Sequence, residues 1–424
     1  MLDLKYIREN INEVKENCHY RLVNVDIDHL VELDEQRRRL QQALDEQRSR
    51  RNAWSKQKPN EEQIIEIKAN NEAIKQGEEQ LVKIIEELDA LLLAVPNQTD
   101  VAVVRSLNED DNPVLEEHGQ PLKFTFEPKD HLALAEQWNW LDFERAAKVA
   151  GAKFYYTSND LVWLELALIQ YALATIAKHG FQVMTTPDLA KTSIIERLGY
   201  NPRGESTQIY NLDGQDLSLI GTAEITLGGY HQDEVLSGER LPLRYVALSQ
   251  CFRTEAGSYS KFAKGIFRVH QFNKVEMFVY CRPEDSVKEH QLFLEIEKEI
   301  FSGLEIPFRV IDHCTADLGA PSTRTFDVEA WLPGKPNKEN QLGDWAEMTS
   351  ASNCTDYQAR GLDIKYQATD GQKGLAHTLN GTGLALPRAM IAILENHQQA
   401  DGRIKLPIIL KPFIPLELSS MFFI

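Results

Sequence analysis

An α+β fold with an N-terminal antiparallel helical coiled-coil arm is predicted by three observations. Two heptad-patterned stretches precede residue 97. From about residue 126 the texture changes to short β-rich runs, such as LRYVAL (243–248) and EMFVY (276–280), interleaved with helical stretches and Gly/Pro punctuation. Finally, 424 residues with 42% hydrophobic content suffice for two to three domains and a sizeable core. No repeat of 20 to 50 residues and no low-complexity run interrupts this pattern.

The opening MLDLKYIREN has an acid at Asp3 and no apolar segment, so it reads as the start of a mature chain and not as a targeting peptide. Leu30, Leu33, Arg37, Leu40, Leu44, Gln47, Arg51 and Trp54 alternate in steps of three and four, the seam of one long helix whose far end turns polar. After the breaker Lys58-Pro59-Asn60, a second seam places Ile67, Ile74, Leu81 and Leu88 at strict sevens, with Ile84 and Leu91 between them. It stops at Val95-Pro96-Asn97. Two matched seams joined by a short turn form a helical hairpin too thin to bury a core of its own. Residues 98 to about 125 are polar and acidic and read as a linker, which sets the domains at 1–105 and 106–424. The apolar stretch Leu161–Ala177 is short for a membrane span and contains Glu165 and Gln170, so a buried helix is expected.

Charge narrows the function. Lys and Arg total 46 against 64 Asp and Glu, a net charge of −18, so any nucleic-acid contact has to come from a local basic patch. Residues 37–58 offer one: Arg37, Arg38, Arg39, Arg48, Arg50, Arg51, Lys56 and Lys58 against only Asp45 and Glu46. One reading is a solvated face whose charges pair with Glu61, Glu62, Glu66 and Glu72 on the returning helix. The other is a grip on the backbone of a folded RNA, favoured by the cost of arginine at the seam positions Arg37 and Arg51. Neither DNA nor a membrane is expected as a partner. Cys18, Cys251, Cys281, Cys314 and Cys354 are odd in number and far apart, with no CxxC pair, which argues against a disulfide framework and a Cys-rich zinc site. A reducing, cytoplasmic location follows.

No P-loop and no GxGxxG after a strand occurs, so charged side chains would have to hold any bound nucleotide. Cys251-Phe252-Arg253-Thr254-Glu255, a polar loop, and the return from Phe267 to Glu276 form a long hairpin presenting an aromatic, a cation and an acid to one side of a sheet. Taken singly, Arg253 is an ordinary ion-pair partner, Phe272 a core residue, and Thr222-Ala223-Glu224 a helix start.

FRTE (252–255), RVHQFNKVE (268–276) and NGTGLALPR (380–388) together resemble motifs 2 and 3 of the class II aminoacyl-tRNA synthetases, specifically the seryl-tRNA synthetase family. The likeness extends over essentially the whole chain, through MLDLKYIREN, LDFERAAKVAGAKF (141–154), Thr222-Ala223-Glu224, DVEAWLPG (327–334) and SASNCTDYQAR (350–360); the class I signature peptides are missing. The resemblance implies an antiparallel-sheet catalytic domain behind a tRNA-binding arm. The implied function is a serine ligase for tRNA(Ser), with tRNA(Sec) as a second candidate acceptor, acting through seryl-adenylate.

The same resemblance implies roles for individual residues. Arg253 would bridge the serine carboxylate and the ATP α-phosphate, and Arg388 would hold the γ-phosphate. Glu255 and Phe272 would receive the adenine, Thr254 and Val269 would also bind ATP, and Glu347, Met348, Thr349 and Ser350 form a second ATP segment. Glu347 and Ser350 would supply hard oxygen to Mg²⁺. Thr222 and Glu224 would take the serine ammonium group, with Ala223 between them in the serine site, while Glu276, Asn380 and Thr382 surround the small side chain. Arg37, Arg48, Arg50, Arg51 and Lys56 would meet tRNA. His270 is expected to be structural, and the apolar helix near 161–179 with the strand after it is expected to form a homodimer interface.

Two departures from the family pattern stand out. The motif 2 loop reads SYSKFAKG where a more basic segment is usual, leaving Lys261 and Lys264 as its charges, and GDWA precedes Glu347 where bacterial relatives often show tyrosine and arginine. The apolar ending PFIPLELSSMFFI is expected to pack on the protein. Two rivals remain: a synthetase paralogue loading a carrier protein, which would lack the arm, and a silent RNA-binding protein, which would not need Arg253, Glu276, Thr382 and Arg388.

Overall fold

A computed structural model describes residues 1–54, 60–200, 208–256, 262–419 and 421–424, which group into two compact units, Met1–Gln98 and Thr99–Ile424. The first unit holds α1 (Leu4–Glu9), α2 (Ile11–Tyr20), α3 (Ile27–Trp54) and α4 (Glu61–Ala94). Both long helices fall where the heptads place them, and they pack on each other. Leu30, Leu33 and Leu44 are buried on α3, and Ile74, Ile84 and Leu88 on α4. The start of α4 is fixed by a capping box: Asn60 Oδ1 accepts from Gln63 N at 2.8 Å and Gln63 Oε1 accepts from Asn60 N at 2.9 Å.

The second unit is built on a nine-stranded sheet: β1 (Val114–His118), β2 (Gln182–Thr185), β3 (Leu243–Phe252), β4 (Gln271–Cys281), β5 (Phe308–Asp312), β6 (Arg324–Pro336), β7 (Leu342–Glu347), β8 (Ala351–Thr355) and β9 (His377–Ala385). The order is β1-β5-β6-β8-β9-β4-β3-β2, with β7 paired to β6. Every described pair in it is antiparallel except β2 with β3. Helices α5 (Asp160–Ala177), α6 (Ser286–Gly303) and α7 (Leu386–His397) cover one face.

Strand alternation determines what each face carries. On β4, Val275, Met277, Val279 and Cys281 enter the helix-covered core, while Phe278 and Tyr280 join a smaller apolar cluster on the other face. Lys274 and Glu276 continue that second row as a buried polar surface. On β9 the pairing with β4 advances from Leu384 to Thr382 between Val275 and Glu276, leaving Gly383 as the extra residue of a bulge. A Cβ on Gly383 would lie 2.5 Å from Ile176 of α5, and one on Gly381 2.7 Å from Phe293 of α6, so the helices approach these positions too closely for a side chain. Gly383→Val is expected to destabilise the protein by about 1–3 kcal/mol through overpacking, read as a lower denaturation midpoint.

One expectation fails in part. Residues 98–125 read as a linker, yet Val114–His118 pairs with β5 as the edge strand β1. An edge strand needs backbone partners on one side only, so its largely exposed side chains carry no apolar alternation to betray it. Helix α5 is long and apolar enough to cross a membrane by length and composition, but more than half of it is packed inside the protein, as expected of a buried helix. Trp163 and Leu166 stay exposed on its outer side. The C-terminal residues also pack: Phe422 is buried against Trp140, and Phe422–Phe423 pairs with Ile404–Lys405.

Candidate active site

The face opposite the helices opens between β4, β9, β8 and the end of β7 into two adjoining cavities. The first is lined by Arg253, Glu255, Phe267, Arg268, Val269, Phe272, Lys274, Glu347, Met348, Thr349, Thr382 and Arg388. The second, of about 510 Å³, is lined by Tyr200, Thr222, Glu224, Arg253, Lys274, Glu276, His313, Asp317, Glu347, Ser350, Asn380 and Thr382, among others. Arg253, Lys274, Glu347 and Thr382 line both. The two arginines singled out in the sequence, 135 positions apart, therefore share one cavity.

Each guanidinium lies over an aromatic ring and is further held by hydrogen bonds. Arg253 leaves the end of β3, donates Nε to Gly221 O at 3.2 Å, and lies 5.4 Å from the Phe272 ring centre. Its backbone N–H bonds His270 O at 3.0 Å, and His270 Nδ1 lies 2.9 Å from Arg253 O. A lone ring nitrogen facing a carbonyl must donate, which gives His270 the structural part expected of it. Arg388 opens α7 one residue after Pro387, stands 4.8 Å over Phe267, and reaches Glu347 Oε1 at 3.0 Å and Glu347 O at 2.9 Å. The surrounding protein disfavours charge on Glu347, but Arg388, His313 and Arg253 hold its carboxyl down to about 2.

The second cavity is acid-lined. Glu224 begins the short helix Glu224–Gly228, and its N–H bonds Thr222 Oγ1 at 3.2 Å. The helix-start reading of Thr222-Ala223-Glu224 is thus correct, and Glu224 nevertheless faces the cavity. Its carboxylate accepts from Gln358 Nε2 at 2.8 Å, from Asn380 Nδ2 at 3.0 Å and from the Tyr200 hydroxyl. Burial first, then the neighbouring Glu276, raise its pKa to about 6. Glu276 pairs with Lys274, and Lys274 Nζ lies 3.5 Å from Thr382 Oγ1, opposite Glu276 in the register. Ser350 is tied in by its carbonyl, which accepts from Thr382 N at 3.0 Å. Both signs of charge line both cavities, with Arg268 and Arg388 only in the first and Glu224, Glu276 and Asp317 only in the second.

Two sequence candidates contribute no side chain to these walls. Ala223 is fully buried in the smaller apolar cluster, and Thr254 borders the site through its backbone bond to Gln208 O. Conversely, Lys274, Tyr200, Gln358 and His313 were not singled out. Alternation along β4 places Lys274 beside Glu276 and Phe272 and could have found it; Tyr200 and Gln358 reach Glu224 from distant segments and left no local signal. Among the described residues no cluster of three or more His, Cys, Asp or Glu forms a metal cage.

In the arm, the basic stretch divides into tied and free charges. Arg37 binds the buried Asp34 at 2.7 Å, a carboxylate also held by Arg8; Arg39 pairs with Glu35; and Arg48 reaches Glu78 across the hairpin at 2.8 Å. Arg38, Arg50 and Arg51 are exposed, with no ion pair among the described residues. Lys56 and Lys58, and Lys261 of the motif 2 loop, lie outside the described residues; Lys264 pairs with Asp130.

Comparison with known proteins bears on the same two units. Residues 1–99 match the family described as the seryl-tRNA synthetase N-terminal domain, and residues 208–397 match the tRNA synthetase class II core domain (G, H, P, S and T). The chain is 49% identical to the serine--tRNA ligase of Treponema denticola, covering 97% of this chain and 98% of that one. It is 46% identical to that of Dictyoglomus thermophilum, covering 98% of each. Its fold is similar to the crystal structure of Pyrococcus horikoshii seryl-tRNA synthetase complexed with ATP, with a TM-score of 0.85 and 36% identity over 97% of this chain and 98% of that one.

Proposed function

Because this chain belongs to the seryl-tRNA synthetase family of class II aminoacyl-tRNA ligases, we propose that it joins L-serine to tRNA(Ser) in two steps within the paired cavities. A serine carboxylate oxygen attacks the ATP α-phosphorus, pyrophosphate leaves, and seryl-adenylate forms. A ribose hydroxyl of the terminal adenosine then attacks the acyl carbon and AMP departs. The observation that carries this reading is the joining of an arginine-lined cavity to an acid-lined one through Arg253, Lys274, Glu347 and Thr382.

Arg253, at the junction, aligns the carboxylate with the α-phosphate and offsets charge building on the phosphorus oxygens. Arg388 meets the γ-phosphate, and Glu255, Val269 and Phe272 receive the adenine. Glu347 and Ser350 would hold Mg²⁺: one carboxylate and one hydroxyl on the same wall match the sparse hard-oxygen sets that this ion combines with phosphates. When bound, the ion neutralises phosphate charge. Glu224 and Thr222 receive the ammonium group, and Glu276, Asn380 and Thr382 the hydroxyl. Alanine leaves those buried groups unpaired and is rejected on that account.

The decisive experiment is serine-dependent exchange of labelled pyrophosphate into ATP, followed by charging of purified tRNA. Exchange with charging of tRNA(Ser) supports the reading; exchange without charging favours the carrier-protein alternative, against which the matched N-terminal domain already speaks; no exchange refutes it. Charging of tRNA(Sec) is scored in the same assay. A homodimer is proposed through α5 and β2, where Trp163, Leu166 and Val183 are exposed, and sedimentation tests it. The five cysteines, all buried and none in a disulfide, suit the reducing cytoplasm proposed as its location.

The Glu224 pKa gives a pH dependence with a definite sign. Ammonium binding needs the carboxylate, which is present above about pH 6 and lost as pH falls through that value. The KM for serine is therefore expected to rise about tenfold per pH unit below 6, and Glu224→Gln is expected to give a raised but flat KM over the same range.

A further inference from the structure

Helix α6 presents two buried polar side chains, seven residues apart, to the strand connection that runs from Glu347 to Ala351. His290 Nε2 lies 2.8 Å from Ala351 O, and the His290 ring stacks on Phe326 with ring centres 4.6 Å apart. Glu297, fully buried, accepts a hydrogen bond from Thr349 Oγ1 at 2.8 Å, while that same hydroxyl accepts from Val328 N at 3.0 Å. The Thr349 hydroxyl is therefore fixed from both sides, and residues 349 and 351 are gripped from beneath the sheet. Glu347, Met348 and Thr349 line the first cavity, and Ser350 the second.

Glu297 has no other visible task. Its Oε1 makes no hydrogen bond, and no basic side chain pairs with it among the described residues. A buried carboxyl kept without a cation is costly unless it is neutral or does something that a leucine cannot.

We propose that Glu297 is a positioning residue for the nucleotide site, and that together with His290 it holds the Glu347–Ser350 segment in the geometry that ATP requires. The inference rests on the reading of that cavity as an ATP site. Its chemistry is that of an acceptor in the uncharged acid form: burial foremost, then Asp327 and Glu276, push the Glu297 pKa well above the usual carboxylate range. Burial likewise lowers the His290 pKa to about 4, so the imidazole that donates to Ala351 is also neutral. Two uncharged groups hold the segment without adding a field of their own to a site whose charges are already opposed.

The test compares Glu297→Gln with Glu297→Leu in the full-length protein. Glutamine keeps an acceptor for Thr349 and matches the neutral acid in shape; leucine removes the acceptor. Direct ATP binding by calorimetry is measured beside exchange kinetics and thermal melting. Leucine is expected to weaken ATP binding and raise the KM for ATP by about tenfold to a hundredfold, the range that a misplaced group costs, with the KM for serine unchanged. Glutamine is expected to stay within about threefold of the parent. If leucine leaves ATP affinity intact in a folded protein, or glutamine fails as leucine does, the inference is overturned. If leucine prevents folding, Thr349→Val removes the same hydrogen bond from the other partner and is expected to raise the KM for ATP alone; an unchanged value there also overturns it. Failure of the parent protein itself to bind ATP would strike the active-site reading instead, so the two failures are separable.

Discussion

Replacing Arg253 with glutamine is expected to lower serine-dependent pyrophosphate exchange by about 10²- to 10³-fold while leaving the protein folded. The magnitude is that of losing a preorganised donor from a charge-developing transition state. The residue's own bonds say why the fold should survive: Arg253 is half-buried, with one side-chain hydrogen bond among the described residues, from Nε to Gly221 O, and a face laid over Phe272. That anchor engages Nε alone, and no hydrogen bond of either terminal nitrogen is found among the described residues, in a residue that lines both cavities. Arg253→Lys is expected to rescue little, because an ammonium cannot anchor through one nitrogen and fork to two anions with the others. Exchange within threefold of the parent for the glutamine variant, in a protein with unchanged melting, would remove the central support of the proposed function.

Reversing Arg38, Arg50 and Arg51 together to glutamate is expected to reduce tRNA charging by about 100-fold at physiological salt, with exchange unaffected. It should also flatten the dependence of tRNA affinity on log salt by about 0.9 for each phosphate that is no longer neutralised. The three residues are exposed and without ion pairs among the described residues, so their replacement leaves the helical hairpin intact; circular dichroism checks this. Arg37 and Arg48 provide the contrast. Their guanidinium groups are engaged by Asp34 and by Asp45 and Glu78, so each is expected to alter arm stability more than salt dependence. Equal charging by the triple variant and the parent would leave the basic stretch as a solvated face and nothing more.

The ion-pair reading of that stretch holds for Arg37, Arg39 and Arg48, and Arg38, Arg50 and Arg51 are the residues on which the RNA reading depends. Its excess of positive charge is a count, visible without a structure. Which arginines are already engaged depends on Asp34 and Glu78, one a turn away and one on the returning helix. Composition suggests pairing with Glu61, Glu62, Glu66 and Glu72; the cross-hairpin ion pair that an arginine of this stretch makes among the described residues goes to Glu78. The motif hairpin was legible for a similar reason. A strand exposes alternate residues to one face, so Phe272, Lys274 and Glu276 had to share a side wherever the sheet lay. Two partners of Glu224 were not legible: Tyr200 and Gln358 come from separate segments outside the large sheet, and only the third, Asn380 on β9, belonged to a motif.

The amino-acid sequence alone determined the helical arm, the α+β class of the larger unit and the identity of the charged residues available for chemistry. These follow from periodicities of three to four and of two residues, which every stretch of chain carries within itself. Tertiary structure decided that residues 114–118 complete the sheet, that Arg253 and Arg388 share a cavity, that Glu276 is held by Lys274, and that an uncompensated acid lies beneath Thr349. Those outcomes turn on desolvation and on which side chain is nearest, and nearness across a sheet is set by strand order and register, which no local pattern specifies.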